Sequence, residues 1–328
     1  MALLVATPFY PRGATGQPYG QAPPSPVDSA CYFFFNLRNV YLDLLAETPG
    51  SNFFYVASDN LLAQGALTRC TPGVGLRDTG ELIRASITNN LCCNKGNDSL
   101  HEVLLGHPIQ LPIYSANRFN VTSSWPEASM GYPFHGPITV YYENHNSTGI
   151  LSDAQYGDIA AYTVLELERE GNHQGALREI NLLNWMYDGK GIADDVYRYG
   201  KAGERGTYQT FKTALYLLAL VKTGQHIPAG LEEALLSKQG SDGGFHTGYD
   251  SNGNYAGTLE NVETTSIVML ALTSLPRRIY IDPLSYHNIT GTGSVRLVKV
   301  QIFFESMENW TVDIKMTVSW DHTTEIVG

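Results

Sequence analysis

Positive charge is scarce in this chain. Lys and Arg number 21 against 32 Asp and Glu, a formal charge of −11 over 328 residues. That balance argues against a nucleic-acid partner, because no basic patch is present to neutralise phosphates. Charged residues of both signs make up only 16 % and hydrophobic ones 43 %, the balance of a globular chain rather than a disordered one. Apolar runs long enough to span a bilayer are also missing. Met1 to Tyr10 is briefly apolar, but Pro8 and Pro11 interrupt it and no basic segment precedes it, so the chain reads as a mature form without a signal. The four cysteines, Cys31, Cys70, Cys92 and Cys93, contain no CxxC pair and so do not suggest a zinc site. Neither a GxSxG elbow, a P-loop nor a dinucleotide-binding glycine motif occurs.

What is present is repetition. Four segments open on a polar residue and run into an Ala- and Leu-rich helix: Ser58 to Ala63, Gly157 to Tyr162, Tyr208 to Leu215 and Val262 to Ile267. The last three begin about 50 residues apart, the length of a helical hairpin with its loops. Helices over 58–69, 153–170, 207–222 and 260–275 are apolar on most faces and are expected to form an inner layer. Those over 78–91, 174–187 and 229–238 are more amphipathic and are expected outside, as by order is Ser29 to Glu47. Residues 1–28, rich in Pro, Gly and Gln, read as an extended arm. An insertion at about 95–150 has strand signals, including Val103 to Leu105 and Ile138 to Tyr142. Period-two alternation over 295–304 and 310–318 gives a small β unit at 277–328.

Two motifs carry a resemblance. Gln239-Gly240-Ser241-Asp242-Gly243-Gly244-Phe245 resembles the Gln-…-Asp-Gly-Gly-aromatic turn of α/α-toroid proteins, which include terpenoid cyclases, prenyltransferases, thioester domains and some polysaccharide lyases. Asp59-Asn60-Leu61-Leu62-Ala63 is similar to the inner-helix starts of six-hairpin glycosidase barrels. The resemblance implies a mainly α fold: an incomplete α/α toroid of about four hairpins at 29–276, with the β-rich insertion and the C-terminal β unit. It covers about half the chain. The cyclase motif Asp-x-Asp-Asp, the prenyltransferase zinc set and the thioester Gly-Cys-Gly-Glu-Gln are all absent.

A ring of hairpins would bring Asp59, Asp158, Lys212 and Glu263 to one mouth. The expected chemistry is a carboxylate pair flanking a glycosidic bond, with Asp59, Asp158 and Glu263 as catalytic candidates and Asp195 and Glu260 as further acids to weigh. Lys212, Tyr208, Tyr156 and Tyr249 are the substrate-binding candidates, and Tyr55, Tyr162 and Phe211 are further aromatics. The plain alternatives are that Asp59 and Asp158 cap their helices, that Lys212 snorkels to the surface and that the aromatics are core. Asp250, Asn252, Asn254 and Glu260 follow the alternating oxygen pattern of a calcium loop, imperfectly, since Tyr255 stands where glycine is expected. An ordinary turn fits that loop too, and no cofactor is otherwise required. His101, Glu102 and His107 lack metalloprotease spacing and are read as noise.

Five sequons, at Asn97, Asn120, Asn146, Asn288 and Asn309, point to secretion and an extracellular or cell-surface location. Three disulfide pairings stay open. Cys70 with Cys92 or Cys93 would staple the first hairpin, while four reduced buried thiols is the alternative. The expected function is a secreted carbohydrate-active enzyme, a glycoside hydrolase before a lyase, with a polysaccharide or glycan as partner. The alternative is a non-catalytic surface-layer, adhesive or filament protein that keeps the toroid as scaffold and self-associates.

Overall fold

A computed structural model of the chain describes residues 25–40, 42–51, 54–70, 79–83, 85, 100–123, 138–145, 148–255, 258–275, 280–282 and 301–303. The chain divides into two compact units, Met1–Leu275 and Pro276–Gly328. The fold is mainly helical, with small sheets.

The first unit opens with α1 (Pro26–Leu37), where Ser25 accepts a hydrogen bond from the Asp28 amide and Pro26 sits at the first helical position. The helix expected to run on to Glu47 stops at Leu37. Asn39 Oδ1 accepts from the Leu42 amide, Asp43 takes a left-handed φ of 50°, and β1 (Arg38–Asn39) pairs antiparallel with β2 (Leu44–Leu45). Next come β3 (Phe54–Val56) and α2 (Ala57–Leu67). Residues 79–83 and 85 are helical. The expected strand at Val103 to Leu105 is instead a 3-10 helix, Leu100–Leu105, closed by Gly106 at φ 85°. β4 (Asn117–Ser123) and β5 (Ile138–Asn144) pair antiparallel, and β3 lies parallel to the other side of β5.

The helical run resumes with α3 (Gly157–Arg169) and α4 (His173–Met186), then the short α5 (Asp195–Tyr199), which the sequence pattern had not suggested. Tyr208 and Gln209, expected in a helix, form β6, which pairs with β7 (Gly248–Tyr249). α6 (Thr210–Lys222), α7 (Leu231–Leu236) and α8 (Val262–Thr273) complete the unit. In the second unit, β8 (Tyr280–Asp282) pairs antiparallel with β9 (Gln301–Phe303). The N-terminal arm to residue 24, Cys92, Cys93, the sequons at Asn97, Asn146, Asn288 and Asn309, and the strand pattern over 310–318 lie outside the described residues.

Helices that are apolar all round must be buried all round, and α6 and α8 show this. Ala214 to Leu220 of α6 and Val268 to Ala271 of α8 are buried without interruption. α3 packs on α6, α6 on α8, α8 on α2, α2 on the 3-10 helix, and the 3-10 helix on α3, so the sequence of neighbours returns to its start. Gly65 of α2 permits the approach to the 3-10 helix, since a Cβ there would lie 2.3 Å from Leu105 Cδ2. α4 packs on α3, α7 on α6 and α1 on α8, on the outside of that circuit.

After each of these outer helices the chain turns back in the same way. A short antiparallel pairing forms (Arg38 with Leu45, Tyr187 with Ile192, Gln239 with Phe245), around a left-handed residue (Asp43, Gly189, Gly243). Two residues further on, each return ties down the first amide of an inner helix. The Val262 amide donates to Glu47 O, the Gly157 amide to Asp194 Oδ2, and the Thr210 amide to Thr247 O. Glu47, Asp194 and Thr247 therefore hold corresponding positions at the starts of the inner helices. The Gln239-to-Phe245 turn also docks the layers: Gln239 Nε2 donates to Pro26 O and Gly243 O, and the Phe245 amide donates to Thr265 Oγ1 of α8.

A disulfide joins Cys31 of α1 to Cys70 just past α2, with both residues buried. This is one of the three pairings left open, in place of a staple from Cys70 to Cys92 or Cys93. Cys31 lies on the buried face of α1 with Phe34, and α1 carries it to the end of α2.

Candidate functional site

The starts of α2, α3, α6 and α8 carry the site residues. Neither Asp59 nor Asp158 caps its helix: the residues at those cap positions are Val56 and Tyr156, and no side-chain capping bond forms. Asn261 caps α8 by accepting from the Thr264 amide, which leaves Glu263 free of that task. Asn60 is the structural half of its motif. It donates to Leu45 O and Val56 O and accepts from the Leu45 amide, fixing α2 against the return after α1.

Two charged groups result. In the first, His101 of the 3-10 helix lies between two acids. Its Nδ1 is 3.4 Å from Asp59 Oδ1 and its Nε2 is 3.3 Å from Glu263 Oε1. One donor atom from each of Asp59, His101 and Glu263 falls within 4.8 Å of the others. The Glu47 carboxyl meets that of Asp59. Ser58 Oγ donates to Asp59 Oδ1 at 3.1 Å.

Burial, reinforced by the negative charge of Glu263, pushes the Glu47 carboxyl up to about 8. Burial with the charges of Glu47 and Glu263 holds Asp59 well above the ordinary aspartate range. Burial alone would lower His101, but its bond to Glu263 and the charges of Asp59, Glu263 and Glu143 raise it to about 9. Of the acids in this group, Glu47 and Asp59 are buried, whereas the Glu263 side chain keeps 30 % of its surface exposed.

In the second group, Lys212 Nζ sits 2.6 Å from Asp194 Oδ2 and 3.1 Å from Asp158 Oδ1. Lys212 is 3 % exposed, so it does not snorkel. Burial works against its charge, but Asp158 and Asp194 outweigh that and raise its pKa. Asp194 also accepts from the amides of Gly157, Val196 and Tyr197. Asp158 retains 24 % side-chain exposure. Tyr162, one turn along α3 from Asp158, relates the two groups. Burial and the charges of Glu263, Asp158 and Asp59 push its hydroxyl well above the usual tyrosine range.

The remaining sequence candidates lie elsewhere. Tyr208 and Tyr249 are buried with Ala193. Tyr208 donates to Asp188 Oδ2 at 2.5 Å, and Tyr249 donates to Lys190 O at 2.8 Å, so both hydroxyls serve the return after α4. Tyr156 is half-buried at the start of α3. The Asp250 carboxylate accepts from the Asn252 and Asn254 amides and the Asn254 side chain, as in an ordinary Asx turn. Lys238 donates to Gly253 O in that loop, and Glu260 pairs with His246 at 3.2 Å.

Sequence reasoning passed over Glu47, His101 and Asp194. His101 carries no usable spacing signal because its partner Glu263 is 162 residues away in the chain. Glu102 and His107, set aside with it as noise, bond to each other. The buried disulfide fits a secreted protein, and no helix among the described residues is long and apolar enough to cross a membrane. No family model matches the chain, and no curated protein and no solved structure matches it.

Proposed function

We propose that the chain is a secreted, extracellular carbohydrate-active enzyme, a glycoside hydrolase built on an incomplete α/α toroid, with its active site where the inner helices begin. Glu263 and Asp158 are the catalytic pair. The observation that carries this reading is their shared design: each is a carboxylate with partial exposure, set at an inner-helix start and backed by a buried cationic nitrogen, His101 behind Glu263 and Lys212 behind Asp158. Asp59, Glu47 and Asp194 lie deeper and position those two cations.

Hydrolysis breaks the bond between the anomeric carbon and the bridging oxygen. One acid delivers a proton to that oxygen, the other removes a proton from water, and the hydroxyl adds to the anomeric carbon. A surplus of carboxylates over lysines suits neutral, hydroxyl-rich substrates.

The test is reducing-sugar release from a panel of polysaccharides by the full chain, by Glu263→Gln and by Asp158→Asn. Loss of at least a hundredfold in both variants, with azide restoring turnover in the one that lacks the base or nucleophile, is expected. Unchanged activity in both variants sinks the site. Absence of activity on every glycan leaves the non-catalytic extracellular scaffold as the better reading.

A further inference from the structure

We propose that Asp59, His101 and Glu263, with Glu47 beside them, bind one divalent transition-metal ion of the zinc type. The site does not rest on the glycan reading, since binding is measured without substrate; an ion held by Glu263 would take that carboxylate out of the acid–base pair, so stoichiometric binding counts against the catalytic role given to Glu263.

The donors come from four separate places: the return after α1, the first turn of α2, the 3-10 helix and the first turn of α8. Each is fixed by backbone packing, so the donor set is held together before any ligand arrives. Donors on one tetrahedral zinc ion at about 2.0–2.2 Å lie roughly 3.3–3.6 Å from each other. The observed spread of 4.8 Å among Asp59, His101 and Glu263 would have to close by a little over an ångström, through side-chain rotation, to grip an ion.

Glu47 supplies an independent sign. Its Oε2 is buried and has no hydrogen-bond partner, although the carboxyl as a whole meets Asp59, the Glu263 backbone and Asn261. A buried acceptor without a partner is costly, and a cation satisfies it. Two buried carboxyls and a half-exposed one converge there, and a cation among them would hold all three ionised. One imidazole with carboxylates suits zinc or manganese better than calcium or magnesium, which prefer oxygen alone. The 30 % exposure of the Glu263 side chain gives the ion an entry path and leaves a coordination position open to water.

The competing arrangement is already drawn by the geometry. Both ring nitrogens of His101 face carboxylates, so an imidazolium could serve as the cation instead.

The experiment begins with the full chain stripped by EDTA, then dialysed to equilibrium against zinc chloride with element analysis. One ion per chain is expected, with a rise of about 5–10 °C in the thermal midpoint at hundredfold excess over Kd. His101→Asn and Glu263→Gln, shown folded by circular dichroism, should each weaken binding at least tenfold, while Glu204→Gln, at an exposed turn, leaves it unchanged. Cobalt added to the unmutated protein should give visible absorption bands that zinc abolishes, a readout that survives if the variants fail to fold. No stoichiometric uptake, or uptake that persists in both folded variants, overturns the site and leaves His101 as the cation. Preference for calcium over zinc overturns the role given to the imidazole.

Discussion

Removing the Lys212 ammonium is the sharpest perturbation of the Lys212–Asp158–Asp194 group. In Lys212→Met the side chain keeps its length and apolar stem, so the packing of α6 against its neighbours changes little. The Asp194 carboxylate, 2 % exposed on its side chain, then loses a cation that stood 2.6 Å away. Breaking a buried ion pair from one side costs about 3–5 kcal/mol. Three backbone amides still donate to Asp194, and Asp158 is exposed enough to regain water, so the low end applies, about 3 kcal/mol. For a unit of this size that is a fall of roughly 6–12 °C in Tm, readable by calorimetry or by urea unfolding at pH 7. Adding Asp194→Asn removes the stranded charge and should recover part of the loss. Recovery stays incomplete because an amide nitrogen must face the Gly157 N–H that Oδ2 now accepts. A single variant within about 0.5 kcal/mol of the parent, below the scale expected for any buried pair, would refute the reasoning. So would a double variant whose loss is the sum of the two single losses.

Further expectations concern the frame of the first unit. Gly243→Ala places a Cβ 2.0 Å from Ser29 O at φ +95°, whereas Gly203→Ala meets open space at φ +96°. Chemical denaturation should show a loss of about 1 kcal/mol at 203, from backbone strain alone, and more than about 3 kcal/mol at 243, where strain and overlap with backbone add. Reducing Cys31–Cys70, whose partners are 39 residues apart, should cost about 4 kcal/mol in the chain-entropy account, measured as the drop in urea midpoint with and without dithiothreitol. Burial and the charge of Asp153 raise Glu179 from 4.5 to about 7, so its native state favours the protonated form. Stability from this group is fully present below pH 4.5 and is lost as pH rises through about 7. Glu179→Gln should therefore flatten the pH dependence of unfolding over that window, and an unchanged slope would contradict the assignment.

The periodic apolar segments made the inner helices readable, because a helix that is apolar on most faces has only one place to go. Its polar first turn can be read with it, and so Asp59, Asp158, Lys212 and Glu263 stood out. Local boundaries were harder. The return at residues 38–45 rests on an Asn39 side-chain bond and a left-handed Asp43, which competed with an otherwise helical pattern. Leu100–Leu105 has the composition of a buried strand, and its 3-10 form follows from where it packs, between α2 and α3. His101 and Glu47 were illegible for a related reason. Their meaning lies in partners brought from distant segments, and neither sits at the start of a repeated helix. Tyr208 and Tyr249 erred the other way: tyrosines near the helix starts suggested a sugar platform, but their hydroxyls brace the return after α4.

The claim that the inner-helix starts form the active site is tested most directly by a crystal structure of Glu263→Gln soaked with an oligosaccharide from a polysaccharide that the parent chain cleaves. The account places a glycosidic oxygen within hydrogen-bond reach, roughly 3 Å, of residue 263, with Asp158 on the other side of the scissile bond. Sugar density seated elsewhere, with this mouth untouched, would contradict it.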